Sequence, residues 1–217
     1  MTNQKFPFIT FEGGEGSGKT TQSAILYREL LKLEIDVLLY REPGGTKGAE
    51  EIRHLILNGD RERWTPKGEA LLMSASRAEL VHRRILPHLG EKGWIICDRF
   101  TDSTIAYQGY GHRLGFELIE GLNKFTVDTL EPDLTFIFQL SPELGLARTA
   151  LREGGEKRYE NFDLAFHRRV EEGYKEILKR NPNRCIAINA LLDIDTLSQL
   201  LFNEVAKRFG LQKHSNT

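Results

Sequence analysis

The sequence predicts an α/β fold in which a five-stranded parallel sheet carries helices on both faces. Two observations predict it. Five short apolar runs read as strands without the polar alternation of a half-exposed sheet, at residues 6–12, 36–40, 93–98, 134–140 and 185–189. Longer segments with helical periodicity separate them, and strands that alternate with helices pair in parallel. In such sheets ligands bind beyond the carboxyl ends of the strands. Chemistry is therefore expected just after Glu12, Tyr40, Asp98 and Leu140.

The helical segments run over residues 19–33, 48–57, 66–89, 117–130, 142–152, 163–179 and 195–209. Thr65-Pro66 and Ser141-Pro142 each place a capping hydroxyl before a proline at the first helical position. Gly210 is a helix stop. With 217 residues, no repeat and no low-complexity linker, the chain is expected to form a single domain over 1–217.

Composition excludes several classes. Lys and Arg number 30 against 31 Asp and Glu, so no global field favours a nucleic-acid polymer. No apolar stretch approaches the ~18 residues of a membrane span, and residues 1–5 are polar with no signal-peptide pattern. A cytoplasmic location is the expectation. Cys97 and Cys185 sit inside apolar runs, which points to reduced, buried thiols, with a buried disulfide as the open alternative. The six histidines show no metal-ligand spacing.

Gly13-Gly14-Glu15-Gly16-Ser17-Gly18-Lys19-Thr20 satisfies G-x-x-x-x-G-K-[ST] between a strand and a helix. Its glycines let successive amides curl around phosphate oxygens. Lys19 reaches the β/γ-phosphates, Thr20 is a Mg²⁺ ligand, and the following helix, from Thr21, offers its positive end. The fold is thereby refined to a P-loop NTPase fold, which names no reaction by itself.

The remaining strand ends carry the rest. Arg41-Glu42-Pro43-Gly44-Gly45-Thr46 is a rigid turn where a second substrate can approach, or an ordinary solvated turn. Arg77 follows apolar and small helical residues and can project into a cleft. Asp98-Arg99 ends the third strand; Asp98 can hold a Mg²⁺ shell or orient Arg99, and an Arg99 fork matches phosphate geometry. Ser103, Thr104, Tyr107 and Gln108 suit recognition of a polar ring and sugar. Arg148, Arg152 and Arg158 around a Gly-Gly break read as a lid over approximately 148–162, or as a solvated loop.

In this order and spacing the motifs resemble bacterial thymidylate kinases, from Phe8 to about Phe209. The resemblance implies ATP-dependent phosphorylation of dTMP to dTDP, assisted by Mg²⁺, in a homodimer. It further implies that Lys19 and Thr20 serve ATP and metal, that Glu15 lies near the sugar, and that Arg77 and Arg99 contact the nucleotide and its phosphate. Thr104 and Gln108 then line the base edge, with Tyr107 crowding the 2′ position. Arg41, Pro43, Phe100 and Ser103 complete the substrate set, and Arg152 and Arg158 supply catalytic arginines from the lid. The chain departs from the family pattern at three places: Met73 stands where a phenylalanine stacks on thymine, Gln139 where aspartate is common, and Lys157 where an acid often precedes the lid arginine. Phe100 is a candidate to supply the missing aromatic contact.

Related readings are another nucleoside monophosphate or deoxynucleoside kinase, which should lack the 41–46 and 103–109 motifs, and a P-loop switch. No Asn-Lys-x-Asp guanine motif supports a GTPase.

Overall fold

The computed structural model describes residues 5–151 and 158–211. Its sheet has five parallel strands: β1 (Phe8–Gly13), β2 (Val37–Arg41), β3 (Trp94–Asp98), β4 (Leu134–Gln139) and β5 (Cys185–Asn189). Their order is β2-β3-β1-β4-β5. The P-loop strand thus lies centrally, with Phe11 opposite Asp98 on one side and Phe136 on the other.

Both faces are covered, which explains the unbroken apolar runs. Ile9, Phe11, Ile96, Phe136 and Ile188 meet Leu26 and Leu30 of α1 (Lys19–Lys32) and Leu197, Leu201 and Val205 of α9 (Ile194–Phe209). On the opposite face Phe8, Ile95 and Cys97 meet Leu80, Val81 and Ile85. Cys97 and Cys185 are buried free thiols on strands with two others between them. At about 4.8 Å per strand, that separation exceeds a disulfide's reach.

Caps account for several boundaries. Thr65 accepts from the Gly68 amide ahead of α3 (Pro66–Leu80), and Ser141 accepts from Leu144 ahead of α7 (Pro142–Ala150). Asp163 and Asp193 cap α8 (Leu164–Arg180) and α9, and left-handed Gly210 ends the latter. α2 spans Lys47–Leu57 and α6 spans Phe116–Val127.

Two segments differ from the sequence expectation. The helix expected over 66–89 is interrupted after α3 by a π turn, Val81–Ile85, before α4 (Leu86–Glu91). Pro87 lacks an N–H and crowds the preceding carbonyls, so the ladder widens just ahead of it. Residues after Asp98-Arg99, assigned to no helix or strand by the sequence, form α5 (Thr101–Thr104) and a π-helix, Ile105–Gly111. Packing makes this helix despite its Thr, Ser and Gly content. At Gly173 of α8 an added Cβ would lie 2.9 Å from Ala106 Cα, so the two helices meet backbone to backbone.

No described helix is long and apolar enough to cross a membrane.

Candidate active site

The site assembles at the carboxyl ends of β1, β2 and β3. Between β1 and α1 the phosphate loop closes on itself. Ser17 Oγ donates to Gly14 O at 2.9 Å, and Lys19 Nζ donates to the same oxygen at 2.7 Å and to Ser17 Oγ at 3.1 Å. Gly16 has φ +66°, and a Cβ there would strike the Gly145 carbonyl of α7. The loop is thus braced from outside while its amides stay available. Burial, and the nearby Arg99 charge, lower Lys19 to about 8 against the attraction of Glu15, Asp98 and Glu12.

Arg99 occupies the junction between this loop and a neighbouring cavity. It adopts φ +72°, a left-handed conformation that costs a non-glycine residue about 1 kcal/mol. That turn brings its guanidinium back over β1. Nη1 donates to Gly13 O at 3.1 Å and Ser103 Oγ at 3.2 Å, and Nη2 donates to Glu15 Oε1 at 2.8 Å. Tyr107 OH donates to the same Glu15 oxygen at 2.6 Å. Burial alone would raise Glu15, but Arg99, Lys19 and the Tyr107 hydroxyl hold it at about 2.

Glu12, the last side chain of β1 before the loop, supports the Arg99 turn from beneath. It accepts from the Phe100 amide at 2.7 Å, Ser103 Oγ at 2.5 Å and Tyr174 OH at 3.0 Å. Burial and the Asp102 charge push it up to about 7, against the Ser103 hydrogen bond and Arg99.

The adjoining cavity measures about 140 Å³, and its lining includes Glu15, Pro43, Met73, Arg77, Arg99, Ser103, Thr104, Tyr107 and Gln108. Arg77 does project inward and is 2% exposed. Its Nε donates to Glu42 Oε2 at 2.7 Å, Nη1 to Thr104 Oγ1 at 2.8 Å, and Nη2 to Phe100 O at 3.0 Å. Glu42, Arg53, Leu57, Tyr159 and Glu160 also line this space.

The family model for thymidylate kinase matches residues 11–201. The chain belongs to the thymidylate kinase family. A thymidylate kinase of Caulobacter vibrioides is 45% identical over 94% of this chain and 98% of its own. One from Lactobacillus acidophilus is 41% identical over 93% of this chain and 94% of its own. The crystal structure of thymidylate kinase from Ehrlichia chaffeensis aligns with a TM-score of 0.75 at 37% identity, covering 92% of this chain and 97% of that one.

Three expected site residues of this thymidylate kinase family member lie elsewhere than the sequence indicated. Arg41 does not line the cavity: its side chain is 58% exposed and pairs with Glu50 at 3.4 Å. Neighbouring strand residues point to opposite sides, so Glu42 goes in where Arg41 stays out. Phe100 is fully buried, edge-on to Phe8 at 4.9 Å, and does not line the cavity; Tyr107 and Tyr159 are its lining aromatics. Arg158 is not a free lid arginine but a buried group, paired with Glu69 and donating to Asp60 O and Arg61 O. Arg152 and Lys157 fall outside the described residues. Arg148, from α7, reaches the rim of the phosphate loop, where Nη1 donates to Gly16 O at 3.4 Å, and it also donates to Ala190 O, just after β5, at 3.2 Å.

The metal expectation meets a structural test at Thr20 and Asp98. Thr20 Oγ1 donates to Asp98 Oδ2 at 2.5 Å, while Asp98 Oδ1 is buried without a hydrogen-bond partner. Buried polar atoms without partners are rare, and a hydroxyl beside a spare carboxylate oxygen is the hard-oxygen donor set Mg²⁺ takes. The residues fit the ion.

Sequence reasoning missed Glu12 and Glu69 as site-building groups. Glu12 was visible as a charge ending an apolar strand. Glu69 carried no distinguishing signal, because an acid in the first turn of a helix ordinarily just complements the dipole.

Proposed function

We propose that this protein is a cytoplasmic enzyme that transfers the γ-phosphoryl group of ATP to dTMP, yielding ADP and dTDP. The observation that carries the reading is the position of Arg99, which spans the phosphate loop and the cavity with one guanidinium.

In this mechanism the loop amides and Lys19 hold the β- and γ-phosphates of ATP at the positive end of α1. Arg99 holds the phosphate of the acceptor nucleotide and sets it in line with the γ-phosphate. Two anions repel, and fixed cations offset that repulsion without reorganising, so positioning and electrostatics carry most of the rate. Glu15 keeps Arg99 oriented and faces the sugar, and the ring of Tyr107, 4.9 Å beneath the Arg99 guanidinium, occupies the space a 2′-hydroxyl would need. Thr20 and Asp98 would hold Mg²⁺, which supplies charge neutralisation at the β/γ-phosphates when bound. Arg77, Thr104, Gln108 and Met73 face the base, the Met73 thioether packing where a phenylalanine stacks in relatives.

The chain acts as a single kinase domain, in which Arg152 serves the transferring phosphoryl group. Two copies pair through α3 and α6, supported by exposed Leu71, Leu118 and Phe125, the last 87% exposed.

ADP release with ATP-Mg²⁺ across a panel of nucleoside monophosphates tests the reading. dTMP should give the highest kcat/KM; a preference for a purine monophosphate, or no turnover with any nucleotide, rejects it.

A further inference from the structure

A buried cluster around Glu69 lies beside the cavity, and the mechanism above assigns it no step. Glu69 is fully buried on α3. Its Oε1 accepts from Gln108 Nε2 at 2.8 Å, Tyr159 OH at 2.8 Å and His112 Nε2 at 2.9 Å, and its Oε2 is paired with Arg158. Burial by itself would raise this carboxyl. The hydrogen bond and charge of His112, the charge of Arg158 and the Gln108 hydrogen bond outweigh burial and hold it at about 2. At neutral pH Glu69 is therefore a carboxylate that can only accept.

This fixes the direction of every bond around it. The Tyr159 hydroxyl hydrogen is spent on Glu69, so the phenol oxygen accepts the second amide hydrogen of Gln108, at 3.2 Å. Both Nε2 hydrogens of Gln108 are then consumed. Turning the amide over would set its carbonyl oxygen against a buried carboxylate, at a cost of several-fold in population or more. Gln108 is 1% exposed and lines the cavity, and its Oε1 makes no hydrogen bond among the described residues.

We propose that Glu69 is a specificity-positioning residue: by taking the amide hydrogens of Gln108 it locks Oε1 as a hydrogen-bond acceptor toward the base edge. A fixed acceptor there matches a pyrimidine whose N3 carries a hydrogen, as in thymine or uracil. It opposes cytosine, whose N3 presents a lone pair. The inference rests on the dTMP reading and on the placement of Gln108 at the base.

The test is the ratio of kcat/KM for dTMP to that for dCMP, measured with ATP in wild type, Gln108→Leu, Tyr159→Phe, Glu69→Gln and the Gln108→Leu/Glu69→Gln double variant. Gln108→Leu should lower the ratio about tenfold, the worth of roughly one buried hydrogen bond. Tyr159→Phe keeps the Glu69–Arg158 pair yet frees one amide hydrogen, and should lower it by about threefold. Glu69→Gln should lower it as Gln108→Leu does, with no further loss in the double variant. If Glu69→Gln does not fold, Tyr159→Phe decides. A ratio unchanged in the Glu69 and Tyr159 variants, with both substrates losing kcat/KM together, means a purely structural cluster and overturns the proposal. A ratio unchanged in Gln108→Leu overturns it too, by removing Gln108 from the base edge. Failure of wild type to phosphorylate dTMP rejects the underlying function instead.

Discussion

Thr20 Oγ1 donates a 2.5 Å hydrogen bond to Oδ2 of Asp98, a residue 78 positions further along the chain. The bond ties the first turn of α1 to the end of β3, and leaves Asp98 Oδ1 buried without a partner. Replacing that carboxylate by an amide keeps the shape of the side chain and removes the charge a cation needs. Asp98→Asn should raise the Mg²⁺ concentration for half-maximal turnover by about tenfold or more, the usual scale for a lost metal contact. A Mg²⁺ titration identical to wild type would remove Asp98 from the metal shell.

Lys19 gives a pH dependence whose sign can be worked out. The cationic form binds phosphate, and Lys19 in the free protein is lowered to about 8 by its burial and Arg99. Above that pH, kcat/KM for ATP should fall, by up to about tenfold per unit. kcat should resist to higher pH, because bound phosphate favours the charged form. Stability runs the other way. Between about pH 8 and 10.5 the unfolded chain binds the proton that the folded chain has lost, so this group makes stability rise with pH there. Lys19→Met should therefore melt no lower than wild type at pH 7 while losing turnover. Retained turnover in that variant would end the phosphate-loop assignment.

Arg158 is expected to matter for stability. Its guanidinium and the Glu69 carboxylate are both fully buried. Deleting one partner of such a pair leaves the other uncompensated, at about 3–5 kcal/mol. Arg158→Ala should lower the melting temperature by on the order of 10 °C while the folded fraction retains kcat within a few-fold. Thermal denaturation with active-site titration separates the two. An unchanged melting temperature with kcat reduced 100-fold would restore Arg158 to the chemistry.

Much of this molecule is written in local patterns. The phosphate loop needs a contiguous set of glycines, a lysine and a hydroxyl, and strand–loop–helix context, all within residues 8–33. Five unbroken apolar runs demanded a sheet buried on both faces, and cap-plus-proline pairs marked where α3 and α7 begin. The inward course of Arg77 was also legible, because small and apolar neighbours left it one side to face.

What the tertiary structure alone decided is which of two adjacent polar groups enters the site. Glu42 and not Arg41 faces the cavity because the strand's pleat and the turn after it set the side. Phe100 is spent on the core because Arg99 turns through φ +72°, a reversal held from below by Glu12. Arg158 is held in the core because Glu69, 89 positions earlier, offers a buried countercharge. Periodicity and motif spacing report the energy of a segment against its own neighbours. The direction of a buried side chain depends on partners distant in the chain, and those exist only after the sheet has brought β1, β2 and β3 together.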